Sequence, residues 1–285
     1  MPYWDRVAII GVGLIGGSIG LGLRQRNLAR HVIGIGRRME TLRTAENRGA
    51  ITEATTDLAA GVAQAELVII GTPVQTIVDQ VKQVAEAAKS GTLVTDVGST
   101  KQSIVEGADR ALAGALGLWT SFVGSHPLAG SERTGVEFAR ADLLEGRTVV
   151  VTPSEASKSD AVERVESLWQ ALGAKVVRMS PAEHDQAVAA TSHVPHVVAA
   201  ALAAATKQDY LPLTATGWAD TTRVAAGDVE LWRQILSDNR PHVLAQLREF
   251  EKFIAAYAAA LERGDEAQLA HLLQQGKRHR DAVGS

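Results

Sequence analysis

Through its first 179 residues the chain alternates short apolar runs with amphipathic segments, and after Ser180 the alternation stops. The runs are VAIIG (7–11), VIGIG (32–36), LVIIGTP (67–73), TLVTDVGS (92–99), SFVGSHP (121–127), TVVVTP (148–153) and KVVRMS (175–180). Between them, segments such as QTIVDQVKQVAEAAK and SDAVERVESLWQAL place apolar residues at helical spacing with charges on the opposite face. Strands that alternate with such helices form a parallel sheet, because each parallel connection needs a crossover. Beyond Ser180 the sequence is rich in Ala, Leu, Glu, Arg and Gln, with helical periodicity throughout. Pro181 with Glu183 marks a helix start, and Pro241 opens PHVLAQLREFEKFIAAYAAALERG, which Gly264 stops. The shift predicts an α/β domain over residues 1–179, built on a doubly wound, mostly parallel sheet, then an all-α domain over residues 180–285. The long apolar stripe of the helical half predicts burial against a second copy, a homodimer through that domain.

The first run leads directly into GVGLIGGS, residues 11–18, which sets Gly11, Gly13 and Gly16 between a strand and a helix. In that context the spacing is the dinucleotide-binding fingerprint of a Rossmann-type sheet. The first glycine permits the tight turn, the second lets backbone approach a pyrophosphate, and the third lets the helix pack on the strand. The helix N-terminus, here at Leu14 and Ile15, then offers N–H donors to the phosphates. An acidic residue about 20 positions on would bind the ribose hydroxyls of NAD. This chain has Gly36 there, followed by Arg37 and Arg38. An aspartate would repel a 2′-phosphate, whereas glycine leaves space and guanidinium groups can clamp it, so the stretch predicts NADP in preference to NAD. The expected cofactor contacts are Gly11, Gly13, Leu14, Ile15, Gly16, Gly36, Arg37 and Arg38, with Thr72 and Pro73 at the end of the third run.

Composition narrows the possibilities further. A net charge of -3 provides no overall basic field for nucleic acid or an anionic membrane, so neither is an expected partner. With no cysteine there is no disulfide framework, thiolate nucleophile or Cys-ligated metal, which fits a cytoplasmic enzyme. MPYWDRVAIIGVG does not read as a signal peptide, because an acidic residue precedes the apolar run and no small-residue cleavage site follows. The stretch AVAATSHVPHVVAAALAAAT, residues 187–206, approaches the length of a bilayer span. Two histidines and a proline near its middle make it the expected buried helix of the second domain instead.

Two stretches carry candidate catalysts: SHPLAGSE, residues 125–132, and SHVPH, residues 192–196. His126 lies at the carboxyl end of a strand, where ligands sit in doubly wound sheets. His193 and His196 of the helical domain can converge on the same cleft. His31, His242, His271 and His279 read as structural or exposed. A metal held by His126, His193 and His196 is conceivable by residue type, but hydride transfer in this layout needs none, and no metal is expected.

GVGLIGGS, DVGSTK, GSHPLAGSE, AEHDQAVAATSHVPH and WADTTRVAAGDVELW occur in the order and at the spacing of the prephenate and arogenate dehydrogenases, and the chain resembles that family over essentially its whole length. The resemblance implies NADP-dependent oxidative decarboxylation of arogenate, prephenate or both, in tyrosine biosynthesis. It implies that His126 polarises the ring C4 hydroxyl and takes its proton, with Ser99 beside it. His196, with His193 nearby, matches a substrate-pocket histidine, and Arg223 matches the arginine that holds a substrate carboxylate. Glu132 and Asp220 match acidic residues that order and gate the pocket, and Trp232 would line it. The family's GFRDTTR reads GWADTTR here, with Trp218 and Ala219 in place of an aromatic and an arginine. At this length neither a regulatory ACT domain nor a chorismate mutase is expected, and any tyrosine feedback is expected at the active site. NADP use and SPAEHDQAVA resemble arogenate-using relatives, whereas His196 resembles prephenate-using or dual-specificity ones. The remaining alternatives are a strictly prephenate-specific, NAD-dependent enzyme, a β-hydroxyacid-type dehydrogenase, and an NADP sensor without turnover. β-Hydroxyacid dehydrogenases place a catalytic lysine on the helical domain, and Lys207 is not in such a motif; intact His126, Ser99 and Arg223 argue against a sensor.

Overall fold

The computed structural model describes residues 4–113, 121–130 and 133–284. Its first part runs β1 (Trp4–Ile10), α1 (Leu14–Gln25), β2 (Ala29–Ile35), α2 (Met39–Asn47), β3 (Glu53–Thr55), α3 (Leu58–Val62), β4 (Leu67–Ile70), α4 (Val74–Ala87), β5 (Leu93–Asp96), α5 (Gln102–Ala113), β6 (Ser121–Pro127), β7 (Thr148–Thr152), α6 (Ser159–Ala171) and β8 (Lys175–Arg178). Every apolar run is a strand. The strand missing from that pattern is β3, three partly exposed residues at the sheet edge whose sequence, EAT, has no apolar run to read.

The strands form one sheet in the order β3-β2-β1-β4-β5-β6-β7-β8. From β1 to β6 all pairings are parallel, β7 is antiparallel to β6, and β8 is parallel to β7. The antiparallel step has a local cause. A parallel return needs a full crossover, and among the described residues of 128–147 the one helical element is a 3₁₀ turn, Val136–Phe138. That turn packs on α1, where a Cβ added at Gly17 would lie 2.8 Å from the Val136 side chain. Both sheet faces are covered: Val7, Ile9, Leu67 and Ile69 point into one core with Trp169, while Ala8, Ile10, Val68 and Ile70 point into the other with Ile77. The chain reverses its strand order between β1 and β4, which opens the crevice where doubly wound sheets bind ligands.

The second part is helical: α7 (Pro181–Val188), a π-helical turn (Ala189–His193), α8 (Val194–Ala205), α9 (Thr216–Thr222), α10 (Val229–Asp238), α11 (Arg240–Arg263) and α12 (Glu266–Ala282), with 3₁₀ turns at Gln208–Leu213 and Arg223–Ala226. Ser180 and Glu183 form a capping box with Pro181 in the first turn of α7. Gly264 closes α11 in the left-handed region at φ 62°. The π turn has a cause in sequence: Pro195 has no N–H and its ring crowds the carbonyl four residues back, so the helix widens just before it.

The stretch from Pro181 to Ala205 is long and apolar enough to cross a membrane by length and composition, yet only 33% of its most apolar window is buried. The expectation of a buried helix therefore holds for one face, which carries His184, Asp185, Val188, His193 and Val194. The helical core is small, centred on Ala189, Val194 and Val243. Leu213, Val229, Ile254, Leu261 and Leu273 remain exposed.

Candidate active site at the domain seam

The glycine loop turns over the carboxyl end of β1. Gly11 has φ +91°, and a Cβ there would lie 2.6 Å from the Gly71 carbonyl oxygen; one on Gly16 would lie 2.2 Å from the Gly11 carbonyl oxygen. Those two glycines are required by close packing. Gly13 differs, because a Cβ there would meet nothing within 4 Å, so its backbone is open to approach from outside. Helix α1 has no acidic residue in its first turn and no side-chain cap. Its first N–H groups are therefore left for an anion.

A cleft of about 450 Å³ extends from this loop along Gly36, Arg37, Arg38, Thr72 and Pro73. Leu14 instead faces a neighbouring cleft and Ile15 packs against the core, so these two offer a phosphate only their backbone N–H. Arg37 and Arg38 are exposed, and among the described residues neither guanidinium has a hydrogen-bond or ion-pair partner. A Cβ at Gly36 would approach Leu42 Cδ2 to 3.2 Å, so a side chain there needs Leu42 to yield slightly. The open backbone at Gly13, the bare helix end and the unpaired guanidiniums fit a dinucleotide.

Two and three strands beyond β1, the ends of β5 and β6 lie side by side. Asp96, at the end of β5, is fully buried. Its carboxylate accepts the Gly98 N–H at 2.8 Å and the Ser125 N–H at 3.1 Å, and pairs with the equally buried Lys101 ammonium. Lys101 also donates to the Ser125 carbonyl at 3.0 Å. Ser125 Oγ accepts the Trp169 Nε1–H at 3.0 Å and lies 2.9 Å from Thr95 Oγ1. The residue before His126 is thus held at its N–H, carbonyl and hydroxyl. The Lys101–Asp96 pair also closes the turn that carries Ser99, which is partly exposed beside the same sheet edge.

The helical domain docks on this corner through polar groups. His126 Nδ1 is 2.8 Å from His184 Nε2, and His184 Nδ1 is 2.7 Å from Asp185 Oδ1. Asp185 also accepts the N–H groups of Lys101 at 2.7 Å and Gln102 at 2.9 Å, at the N-terminus of α5. Asn239 donates to the Asp185 carbonyl at 2.7 Å and to His193 Nδ1 at 3.1 Å. Behind these, Trp232 stacks on His196 with centroids 3.6 Å apart and meets His193 edge-on at 6.1 Å. His196 Nδ1 is buried without a partner.

Burial, reinforced by the nearby His184, Lys101 and His193, holds the His126 pKa well below the usual histidine value. Burial also lowers His184, against the opposing pull of Asp185. For Asp185 burial acts upward, but hydrogen bonds from His184, Gln102 and Lys101 outweigh it and the net shift is downward. The site therefore holds neutral histidines beside one carboxylate at neutral pH. His193, chiefly through burial, titrates at about 4. An unfolded chain protonates this histidine near 6.5 while the folded state does not, so stability is lost as pH falls from about 6.5 towards 4 and is unaffected above that window. For His193 alone the loss approaches ~3 kcal/mol at the acid end. Urea unfolding midpoints should fall across that range in the native protein and fall less in His193→Gln; a flat profile would count against the buried neutral assignment.

Asp220 and Arg223 occupy exposed positions on α9 and the turn after it. The same turn runs on to Gly227, where a Cβ would lie 2.6 Å from Trp232 Nε1 and 3.2 Å from His196 Cε1. Glu132 lies outside the described residues. Among the described residues no group of three or more His, Cys, Asp or Glu is placed to hold a metal ion. Sequence reasoning missed His184, Asp185, Asn239, Ser125 and Lys101. The stretches DVGSTK and AEHDQAVAATSHVPH contain three of them, but nothing in their spacing shows that those segments meet.

Residues 19–178 match the family model of the prephenate dehydrogenase nucleotide-binding domain, and residues 180–275 match that of the prephenate dehydrogenase dimerization domain. The chain is 34% identical to a prephenate dehydrogenase of Bacillus subtilis, covering 98% of this chain and 76% of that one. The A. aeolicus prephenate dehydrogenase, solved with hydroxyphenyl propionate and NAD+, superimposes with a TM-score of 0.89 at 30% identity and 98% coverage of both chains. Synechocystis arogenate dehydrogenase superimposes with a TM-score of 0.83 at 31% identity, covering 98% of this chain and 99% of that one. With both of its parts matched in order, the chain belongs to the prephenate dehydrogenase family.

Proposed function

We propose that the chain is an NADP-dependent dehydrogenase that oxidatively decarboxylates arogenate, prephenate or both in tyrosine biosynthesis, with His126 as proton acceptor and Ser99 beside it. The observation that carries the reading is a neutral, partly exposed His126 on the same sheet edge as a cleft bearing two unpaired guanidiniums. The bound nicotinamide supplies the hydride acceptor. Arg37 and Arg38 clamp the ribose 2′-phosphate, which Gly36 leaves room for, and the N–H groups at Leu14 and Ile15 bind the pyrophosphate. His126 takes the proton of the ring C4 hydroxyl. A low-pKa base suffices, because that hydroxyl becomes strongly acidic as the carbon loses hydride. The carbonyl so formed is conjugated through the ring to the carbon bearing the carboxylate, so CO2 leaves and the ring becomes aromatic.

Arg223 binds a substrate carboxylate, Asp220 and Glu132 order the pocket, and Trp232 lines it with His193 and His196. The unpartnered Nδ1 of His196 supports this, since a buried polar atom without a partner is costly until a ligand supplies one. The exposed apolar side chains of the helical domain, on a small core, support a homodimer through that domain. The cysteine-free chain and its biosynthetic family support a cytoplasmic location.

Absorbance at 340 nm, with each substrate paired with each cofactor, tests the reading. Turnover is expected with NADP and at least one of the two substrates. Activity only with prephenate and NAD would overturn both the cofactor and the substrate assignment, and no rise with any pair would favour a sensor. Gly36→Asp combined with Arg37→Ser should move the kcat/KM ratio towards NAD by about 10-fold or more, the equivalent of one charge-assisted contact. An unchanged ratio would remove these residues from cofactor selection.

A further inference from the structure

We propose that His184 and Asp185 are positioning residues that hold His126 as its Nδ1–H tautomer, so that Nε2 is the nitrogen left to accept the substrate proton. The inference rests on the reading of His126 as the base. It follows from counting protons along one hydrogen-bonded line that crosses the domain seam. Asp185 Oδ1 also accepts the Lys101 N–H, and its Oδ2 accepts the Gln102 N–H, so the carboxylate acts as an acceptor at every contact. The partner facing it at 2.7 Å, His184 Nδ1, must therefore carry a hydrogen. A neutral His184 then has a bare Nε2, and that atom lies 2.8 Å from His126 Nδ1. Two bare nitrogens at that distance would repel, so the hydrogen sits on His126 Nδ1. The remaining nitrogen, Nε2, is the lone pair.

The opposite tautomer would present an N–H to the substrate hydroxyl and accept nothing. Loss of the orienting carboxylate has this effect in catalytic triads, where the wrong tautomer lowers turnover by several orders of magnitude. The arrangement here places one histidine between the carboxylate and the base. As His126 takes up the proton, its Nδ1–H donates more strongly to His184, whose own Nδ1–H is anchored on a full negative charge. The imidazolium is thereby stabilised without Asp185 reaching it.

Two variants and one direct measurement test the proposal. His184→Leu removes the acceptor while filling a similar volume, and is expected to lower kcat by about 30-fold to 100-fold with KM for substrate and cofactor within about threefold. In His184→Gln the amide oxygen can occupy the place of Nε2 and accept from His126 Nδ1–H, so kcat is expected within about fivefold of the native enzyme. Equal losses in the two variants, or losses carried by KM, would point to packing and overturn the proposal. Nitrogen-15 NMR of histidine-labelled native protein reports the tautomer with no variant and no turnover. His126 is expected to carry its proton on Nδ1, and a proton on Nε2 would overturn the proposal. If His126→Asn instead left turnover intact, the functional reading would fail while the tautomer measurement still stood.

Discussion

His126→Asn is expected to lower kcat by about 10²-fold to 10⁴-fold and to leave KM near its native value. The argument combines chemistry with geometry. A positioned proton acceptor contributes in the transition state, when the C4 hydroxyl turns acidic, and contributes little to ground-state binding. His126 is held neutral, and the residue before it is pinned through Asp96, Lys101, Trp169 and Thr95, so asparagine changes the base without moving the strand. Arg223→Ala should show the reverse split, raising KM with a small change in kcat. A tight pair between this arginine and the departing ring carboxylate would stabilise the charge that must be lost, so its service is binding rather than chemistry. Steady-state kinetics with the losses exchanged between the two variants would overturn both roles.

Lys101→Met should destabilise the fold by about 3–5 kcal/mol, the largest single loss expected outside the apolar cores. Both members of the Lys101–Asp96 pair are fully buried, so bulk solvent does not reach either one to replace a missing partner. Among the described residues, the substitution leaves Asp96 the Gly98 and Ser125 N–H groups as donors. It also removes the donor to the Ser125 carbonyl, so the turn holding Ser99 and the strand holding His126 loosen together. Pairing Lys101→Met with Asp96→Asn removes the uncompensated charge and should recover more than half of the loss, because the asparagine oxygen can keep one N–H bond. Denaturant unfolding of the two single variants and the double measures this. A loss below about 1 kcal/mol for Lys101→Met would show that the pair is solvated rather than sealed.

The apolar runs, the helix spacing, the helix start at Pro181 and Glu183 and the stop at Gly264 were legible, because each depends on neighbours within a few residues. The edge strand β3 was not, since three polar-flanked residues at a sheet edge bury too little to leave a pattern. The reversal at β7 was not read from the sequence; among the described residues between β6 and β7 there is a 3₁₀ turn and no crossover helix.

The same division holds for the site. A doubly wound sheet, a glycine loop at its first turn and the absence of an acidic residue at Gly36 are written in local sequence, because close backbone approach and helix geometry act on consecutive residues. Long-range packing brings His126 to His184 across 58 residues, sets Asp185 on the N-terminus of α5 across 84, and joins Asn239 to His193 across 46. It also separated Leu14 and Ile15, which offer backbone, from Arg37 and Arg38, which offer free charge. A buried polar group must find a partner wherever the fold brings one, and no local pattern records which distant residue that will be.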